Sequence, residues 1–169
     1  MTHTTVAARD IAAGEELSIT YIAQMHTREE RQERLSRWGF NCTCAQCSLG
    51  AEEAAASDAR LATIEKLEAD LNVFNETRVT AETGEELVRL YHQERLYIFY
   101  GQALTRAALN FALFGDVERA RVYARAAVDA IIREVGPHSK DADSMRLLAE
   151  NPREHWTWGK RRKKPRDKQ

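Results

Sequence analysis

The sequence predicts a mainly α chain: a short β segment, a cysteine-rich loop suited to zinc, and a helical remainder. Three observations carry this. Cys42, Cys44 and Cys47, all the cysteines of the chain, fall within six residues. Before them, residues 17–22 read "LSITYI", the apolar–polar alternation of a half-buried strand. From residue 50 onward alanine and paired charges dominate, with apolar residues at helical spacing.

Composition narrows the function classes. At 169 residues there is room for one ordinary domain or one domain with attached pieces. With 43% hydrophobic and 30% charged residues the chain has enough apolar material for a core. A net charge of -1 gives no global attraction to nucleic acid or to a membrane surface. Residues 160–169, "KRRKKPRDKQ", concentrate positive charge locally. No apolar run approaches the roughly 20 residues of a membrane span, and the first residues lack a signal-peptide pattern. The expected compartment is nucleus or cytoplasm.

The elements follow in chain order. Residues 1–6, threonine-rich and β-branched, suit a short strand, and a turn at Gly14 leads to a second strand over 17–22. There Leu17, Ile19 and Tyr21 share one face. Two strands alone do not make a stable sheet, so this reads as the end of a sheet formed elsewhere. Thr27 and Glu30 have the spacing of a capping box. The helix "REERQERLSRW" follows, with Leu35 and Trp38 inward, and Gly39 ends it.

Three thiols so close together suit one tetrahedral metal ion better than disulfides. Structural zinc takes four ligands. His3, His26, a carboxylate, water or another polypeptide are the candidates for the fourth. The alternative is three reduced cysteines in a metal-free loop.

Residues 9–22, "RDIAAGEELSITYI", and then 27–47, "TREERQERLSRWGFNCTCAQC", together resemble the C-terminal end of a SET domain and its post-SET zinc segment. The similarity is to SMYD-like and fungal S-adenosylmethionine-dependent protein-lysine methyltransferases. It implies that Tyr21 is the tyrosine closing the active site, that Phe40 packs on the cofactor's adenine ring, and that Cys42, Cys44 and Cys47 bind zinc. On residue pattern alone, Tyr21 reads first as a sheet-face aromatic, and Phe40 equally as a hydrophobic anchor beside the zinc. In that family a fourth cysteine comes from an Asn-His-Ser-Cys-x-Pro-Asn motif upstream in the SET core. That motif is not in this sequence, nor is the glycine-rich cofactor segment. The resemblance therefore implies a fourth ligand from a missing N-terminal region, and a chain inactive by itself.

Residues 50–72 predict a long helix with Leu61, Ile64, Leu67, Leu71 and Phe74 in one stripe. Thr83 is expected to cap a further helix over 84–115, with Gly101 as a possible break. Gly115-Asp116 is a stop and restart, so residues 102–135 form an antiparallel pair. Ala107, Ala108, Ala120, Ala124 and Ala127 recur where the two helices approach, which resembles one tetratricopeptide-type repeat. Tyr91, Tyr97, Phe99, Tyr100, Phe111, Phe114 and Tyr123, with His92 and His138, read as packing residues rather than a ligand cage. A last helix precedes Pro152, and Trp156 and Trp158 read as local packing or a docking patch.

The expected organisation is thus 1–26, the end of a SET domain; 27–49, a helix and post-SET zinc segment; 50–152, a helical tetratricopeptide-like region; and 153–169, a basic disordered tail. Its function reads as a lysine methyltransferase portion with a protein or peptide substrate. The alternative is a non-catalytic, zinc-stabilised helical interaction module. A DNA-binding finger is disfavoured, since no histidine pair follows the cysteines.

Overall fold

The computed structural model describes residues 5–74 and 76–161. It is mainly helical, and no strand forms among the described residues. Among the described residues six α-helices run in order: α1 (Arg28–Ser36), α2 (Ala51–Asn72), α3 (Thr83–Gln93), α4 (Tyr100–Phe114), α5 (Val117–Val135) and α6 (Lys140–Glu150). The chain forms two compact units. One is Asp10–Lys66; the other runs from Leu67 onward and includes the residues up to Arg9. The division falls inside α2.

In the first unit, the strand expected over 17–22 does not form: residues 17–20 are irregular chain, and Tyr21 and Ile22 lie in a bend. The reason is physical: ladder hydrogen bonds need a neighbour, and none is adjacent among the described residues. The expected first strand lies almost wholly outside the described residues. Gly14 does take a positive φ of 83° in the turn before this stretch. Thr27 caps α1 as expected. Its hydroxyl accepts from the Glu30 N–H at 3.3 Å, and its own N–H donates to the Glu30 carboxylate at 2.9 Å. Gly39, at φ 82°, ends the turn after α1, where only glycine is unstrained. One expectation fails on α1: Leu35 is buried, but Trp38 is 64% exposed and Arg31 takes the inward place.

α2 buries Ala54, Ser57, Leu61, Ile64 and Leu71, close to the expected stripe. Phe74 lies beyond the helix end and meets Trp156 edge to face, with ring centroids 5.2 Å apart.

The second unit is built on the α4/α5 hairpin, with α6 packed along α5 and α3 along α4. Ala107, Ala108, Ala120, Ala124 and Ala127 are all fully buried, joined by Phe111, Met145 and Leu148. Gly115 at φ 77° closes α4, and the Asp116 carboxylate caps α5 by accepting from the Arg119 N–H at 3.0 Å. The break between α3 and α4 comes earlier than Gly101. Arg95 turns left-handed at φ 57°, and a short 3-10 turn, Tyr97–Phe99, follows. Gly101 instead lies in the first turn of α4, where its N–H donates to the Glu134 carboxylate at 2.9 Å. Thr83 is the first residue of α3 rather than its cap, and its hydroxyl accepts from the Thr80 N–H at 2.9 Å.

The segment after α6 departs from the expected disordered tail. Up to residue 161 it packs on the hairpin: Gly159 and Arg161 donate their N–H groups to the Ala112 and Leu113 carbonyls, each at 2.9 Å. Arg161 also donates to Asn110 Oδ1 at 2.8 Å and to the Val73 carbonyl. His155 and Thr157 are buried, and Trp158 packs on the core, whereas Trp156 is exposed. Residues 162–169 lie outside the described residues. Of the other aromatics, Tyr91 and Phe111 are buried, while His92 and His138 are exposed rather than core. No helix among the described residues is long and apolar enough to cross a membrane.

Candidate functional site

The site lies within Asp10–Lys66, where α1 is a platform for the cysteine loop. The segment 44–48 closes into a tight turn: the N–H groups of Cys47 and Ser48 both donate to the Cys44 carbonyl, at 3.0 and 2.9 Å. Ser48 Oγ donates to the Thr43 carbonyl at 3.0 Å. α1 grips this knuckle twice. Gln32 Nε2 donates to the Cys42 carbonyl at 3.3 Å, and Arg31 Nη2 to the Gln46 carbonyl at 3.4 Å. The start of α2 holds its far side, where Gln46 Nε2 donates to Ser57 Oγ at 3.3 Å, and Arg28 at the start of α1 donates to the Leu49 carbonyl at 2.6 Å.

This turn converges the thiols. The Cys42, Cys44 and Cys47 sulfurs lie within 4.8 Å of one another, and all three are free thiols. Tetrahedral zinc with bonds of about 2.3 Å places its sulfurs about 3.8 Å apart, so a small contraction completes the geometry. Burial rises from Cys44, exposed, through Cys42 to Cys47, buried. Burial raises the Cys44 thiol, but backbone N–H groups of Cys47 and Gln46 and the adjacent thiols outweigh it and hold Cys44 below its ordinary value. Cys47 is pushed up to about 11, first by burial, against the opposing pull of Arg31 and with Cys42 and Cys44 adding to the rise. A bound divalent cation inverts that preference, because a coordinating thiol is deprotonated outright.

Soft thiolates select zinc over calcium or magnesium, so the donor set fits the expected metal. No histidine or carboxylate among the described residues joins the group. His26 Nδ1 instead lies 3.7 Å from Glu30, and His3 is outside the described residues.

Beside the knuckle the structure brings Tyr21, Trp38 and Phe40 together. Tyr21 meets Phe40 edge to face at 5.5 Å between centroids and Trp38 at 5.8 Å. Tyr21 is 52% exposed and Phe40 39%, and Leu17 and Ile19 stand out from the same stretch. The sequence placed Tyr21 and Phe40 as separate site residues, and the structure adds Trp38 as the ring between helix end and knuckle. Two grooves, of about 590 and 390 Å³, lie elsewhere and include none of these rings.

Arg31 is the site residue that sequence reasoning passed over. The available signal was its position four residues before Leu35, on the inner stripe of α1.

Comparison with known proteins bears on this constellation. Over 158 residues, 88% of this chain, it is 32% identical to a Schizosaccharomyces pombe protein named histone-lysine N-methyltransferase set5. This chain is related to the C-terminal part of SET-domain, SMYD-like proteins. A second relative, histone-lysine N-methyltransferase SET5 of Scheffersomyces stipitis, is 55% identical over 42 residues, 24% of this chain and 9% of the relative. Mouse histone-lysine N-methyltransferase SMYD3 is 30% identical over 105 residues, 62% of this chain and 21% of the relative. The chain spans about half the length of the fission-yeast relative, 48%. No family model and no solved structure matches the chain.

Proposed function

We propose that this SET-type chain contributes to an S-adenosylmethionine-dependent protein-lysine methyltransferase. Its parts are the tyrosine that closes the active site, a zinc-pinned post-SET segment and a tetratricopeptide-like helical region. The observation that carries this reading is the alignment of 88% of the chain with a protein named as a histone-lysine N-methyltransferase. The meeting of Tyr21 and Phe40 beside three converging thiols supports it.

S-adenosylmethionine supplies a methyl sulfonium for in-line transfer, a reaction governed by positioning. In this chain the Tyr21 hydroxyl orients the target amine by accepting its hydrogen bond, and Phe40 offers a ring face to adenine. Cys42, Cys44 and Cys47 would hold zinc, which would pin the loop that follows Phe40, and the fourth ligand would come from another segment of a SET protein. The substrate is a protein lysine, in the nucleus or cytoplasm. The aromatic face furnishes one wall of a cofactor site and remains open to solvent, so this chain alone is inactive.

A second reading, a non-catalytic interaction module, is favoured by the groove of about 590 Å³ whose lining includes Glu82, Glu85, Tyr100 and Tyr123. Calorimetric titration of the zinc-loaded chain with S-adenosylmethionine, with metal content measured on the same sample, tests both. No heat is expected here, and heat restored by adding the preceding SET segment supports the methyltransferase reading. No heat even with that segment present favours the interaction module.

A further inference from the structure

The groove of about 590 Å³ in the helical unit is acidic at one end. Its lining includes Glu82, Glu85 and Glu86 at the start of α3, with Tyr100 of α4 and Tyr123 of α5. Glu86 is paired with Arg89 at 2.6 Å. Glu82 and Glu85 are neutralised less well. They share the Arg119 guanidinium, whose Nη1 stands 3.8 Å from each, while its Nε is committed to Asp116 at 2.7 Å. The Tyr123 hydroxyl donates one further hydrogen bond to Glu85 at 3.0 Å. Two carboxylates three residues apart at one helix end repel each other, so this end of the groove favours an added cation.

The chain itself delivers cations to that end. Arg161, the last described residue, donates from Nη1 to Asn110 Oδ1 at 2.8 Å. Asn110 Nδ2 in turn donates to the Thr80 and Ala81 carbonyls, at 2.8 and 3.0 Å. Ala81 adjoins Glu82. One side chain, that of Asn110, thus separates the point from which the chain continues and the acidic end of the groove. Residues 162–169, "RKKPRDKQ", carry five basic residues and one acidic residue. Eight extended residues reach about 26 Å, and the α3 wall from Glu82 to His92 is about 15 Å long. Reach and charge both suffice.

We propose that residues 162–169 dock in this groove of the same chain. Their ammonium and guanidinium groups offset the charge of Glu82 and Glu85, and the rings of Tyr100 and Tyr123 offer faces to a cation. A basic peptide from elsewhere then enters the groove only by displacing them. The assignment concerns the helical unit alone and stands apart from the methyltransferase reading.

The test uses the full chain, wild type and with Arg162→Gln, Lys163→Gln, Lys164→Gln, Arg166→Gln and Lys168→Gln combined. The probe is a fluorescent peptide of residues 162–169, followed by anisotropy at low salt. The neutralised chain is expected to bind it, and the wild type to bind it at least about tenfold more weakly, since a tethered competitor acts at an effective concentration near millimolar. Glu82→Gln with Glu85→Gln, added to the neutralised chain, should abolish binding. Circular dichroism melts check that each variant keeps its helices.

Equal affinity for wild type and neutralised chain overturns the assignment, because the groove is then empty in the wild type. Binding that survives Glu82→Gln with Glu85→Gln overturns it too, as attraction to the surface at large. So does an absence of binding by the neutralised chain. Sedimentation distinguishes a second copy: a wild-type dimer that neutralisation dissolves would place the segment in a partner's groove and overturn docking within one chain.

Discussion

The two compact units solve the burial problem in opposite ways. From Leu67 onward, large apolar side chains find one another: Phe111, Leu87 and Leu148 are fully enclosed, and five small residues let α4 and α5 approach closely. In Asp10–Lys66, Leu35, Leu61 and Ile64 are buried, but several large apolar side chains face outward. Leu17 is 76% exposed, Ile19 70% and Trp38 64%, and the same unit carries three thiols close enough together to hold one metal ion. One unit is held by apolar packing throughout; the other adds caps, backbone hydrogen bonds and the cysteine knuckle to a smaller buried set that includes Leu35, Leu61 and Ile64. The difference teaches that a fold's local instructions can be obeyed where its tertiary partners are not at hand.

The strongest way to break the comparison is to remove the metal. Chelation, or Cys47→Ser, is expected to disorder the knuckle, because apparent zinc-binding energies in small thiolate sites reach about 10 kcal/mol and appear directly as folding energy. The helical unit should keep its own thermal transition. Hydrogen exchange with and without chelator checks this: amides of Cys47 and Ser48 lose protection, and those of α4 and α5 do not.

The reverse experiment strikes the packed unit. Phe111 is fully buried, stacks on Tyr123 at 5.3 Å between centroids, and carries the Arg119 guanidinium over its ring at 4.4 Å. Phe111→Ala should cost about 3–5 kcal/mol in denaturant unfolding of the helical unit. Zinc stoichiometry should stay unchanged. A smaller effect is expected at Gly84, where an added Cβ would lie 2.6 Å from the Ala107 Cα. Backbone cannot yield as a side chain can, so Gly84→Ala should destabilise by about 1–3 kcal/mol despite alanine's better helix propensity.

These experiments also separate what the sequence disclosed from what it hid. The capping box at Thr27 and Glu30, the Gly115-Asp116 restart and the alanine stripe are local signals, and each is realised where expected. The cysteine spacing likewise foretold converging sulfurs. What was hidden depends on non-local contact. The alternation of 17–22 specifies a strand only when a partner supplies the ladder. Arg31 looks like any solvent-facing arginine until the knuckle folds over it. Gly101 looked like a breaker because a glycine's lost Cβ is visible in sequence, whereas the Glu134 carboxylate occupying that space is not. Residues 153–161 read as the start of a disordered tail, yet they pack because Gly159 and Arg161 donate to the Ala112 and Leu113 carbonyls at the end of α4.

That last segment gives a pH handle on the helical unit alone. His155 is 2% exposed; its Nδ1 lies 2.8 Å from Thr157 Oγ1 and accepts from the Thr157 N–H, leaving Nε2 to donate to Ser144 at 3.2 Å. Burial lowers its pKa below the ordinary 6.5. The unfolded chain therefore binds the proton first, so stability is full above about 6.5 and falls as the pH drops toward the folded-state value. Thermal melts between pH 7.5 and 5 should show this decline, and His155→Gln should flatten it.

The smallest expected effect is the sharpest probe of the outward-facing unit. Leu17 and Ile19 project from unpaired chain, so Leu17→Lys or Ile19→Lys removes little apolar area that was withdrawn from water. Each should change the stability of this chain by less than about 0.5 kcal/mol, the usual range for exposed positions. A buried position of the same residue type, such as Leu148, should instead lose about 2–5 kcal/mol on truncation to alanine. If the exposed face is the edge of a sheet completed by other SET-domain sequence, the same lysine substitutions become costly once that sequence is added. A strand face turned to a core tolerates no uncompensated charge. Near-neutrality in this chain combined with failure to associate with an added SET core segment would identify the face by function. Equal neutrality in both settings would leave Leu17 and Ile19 as surface residues, and the contrast between the two units would then rest on the metal alone.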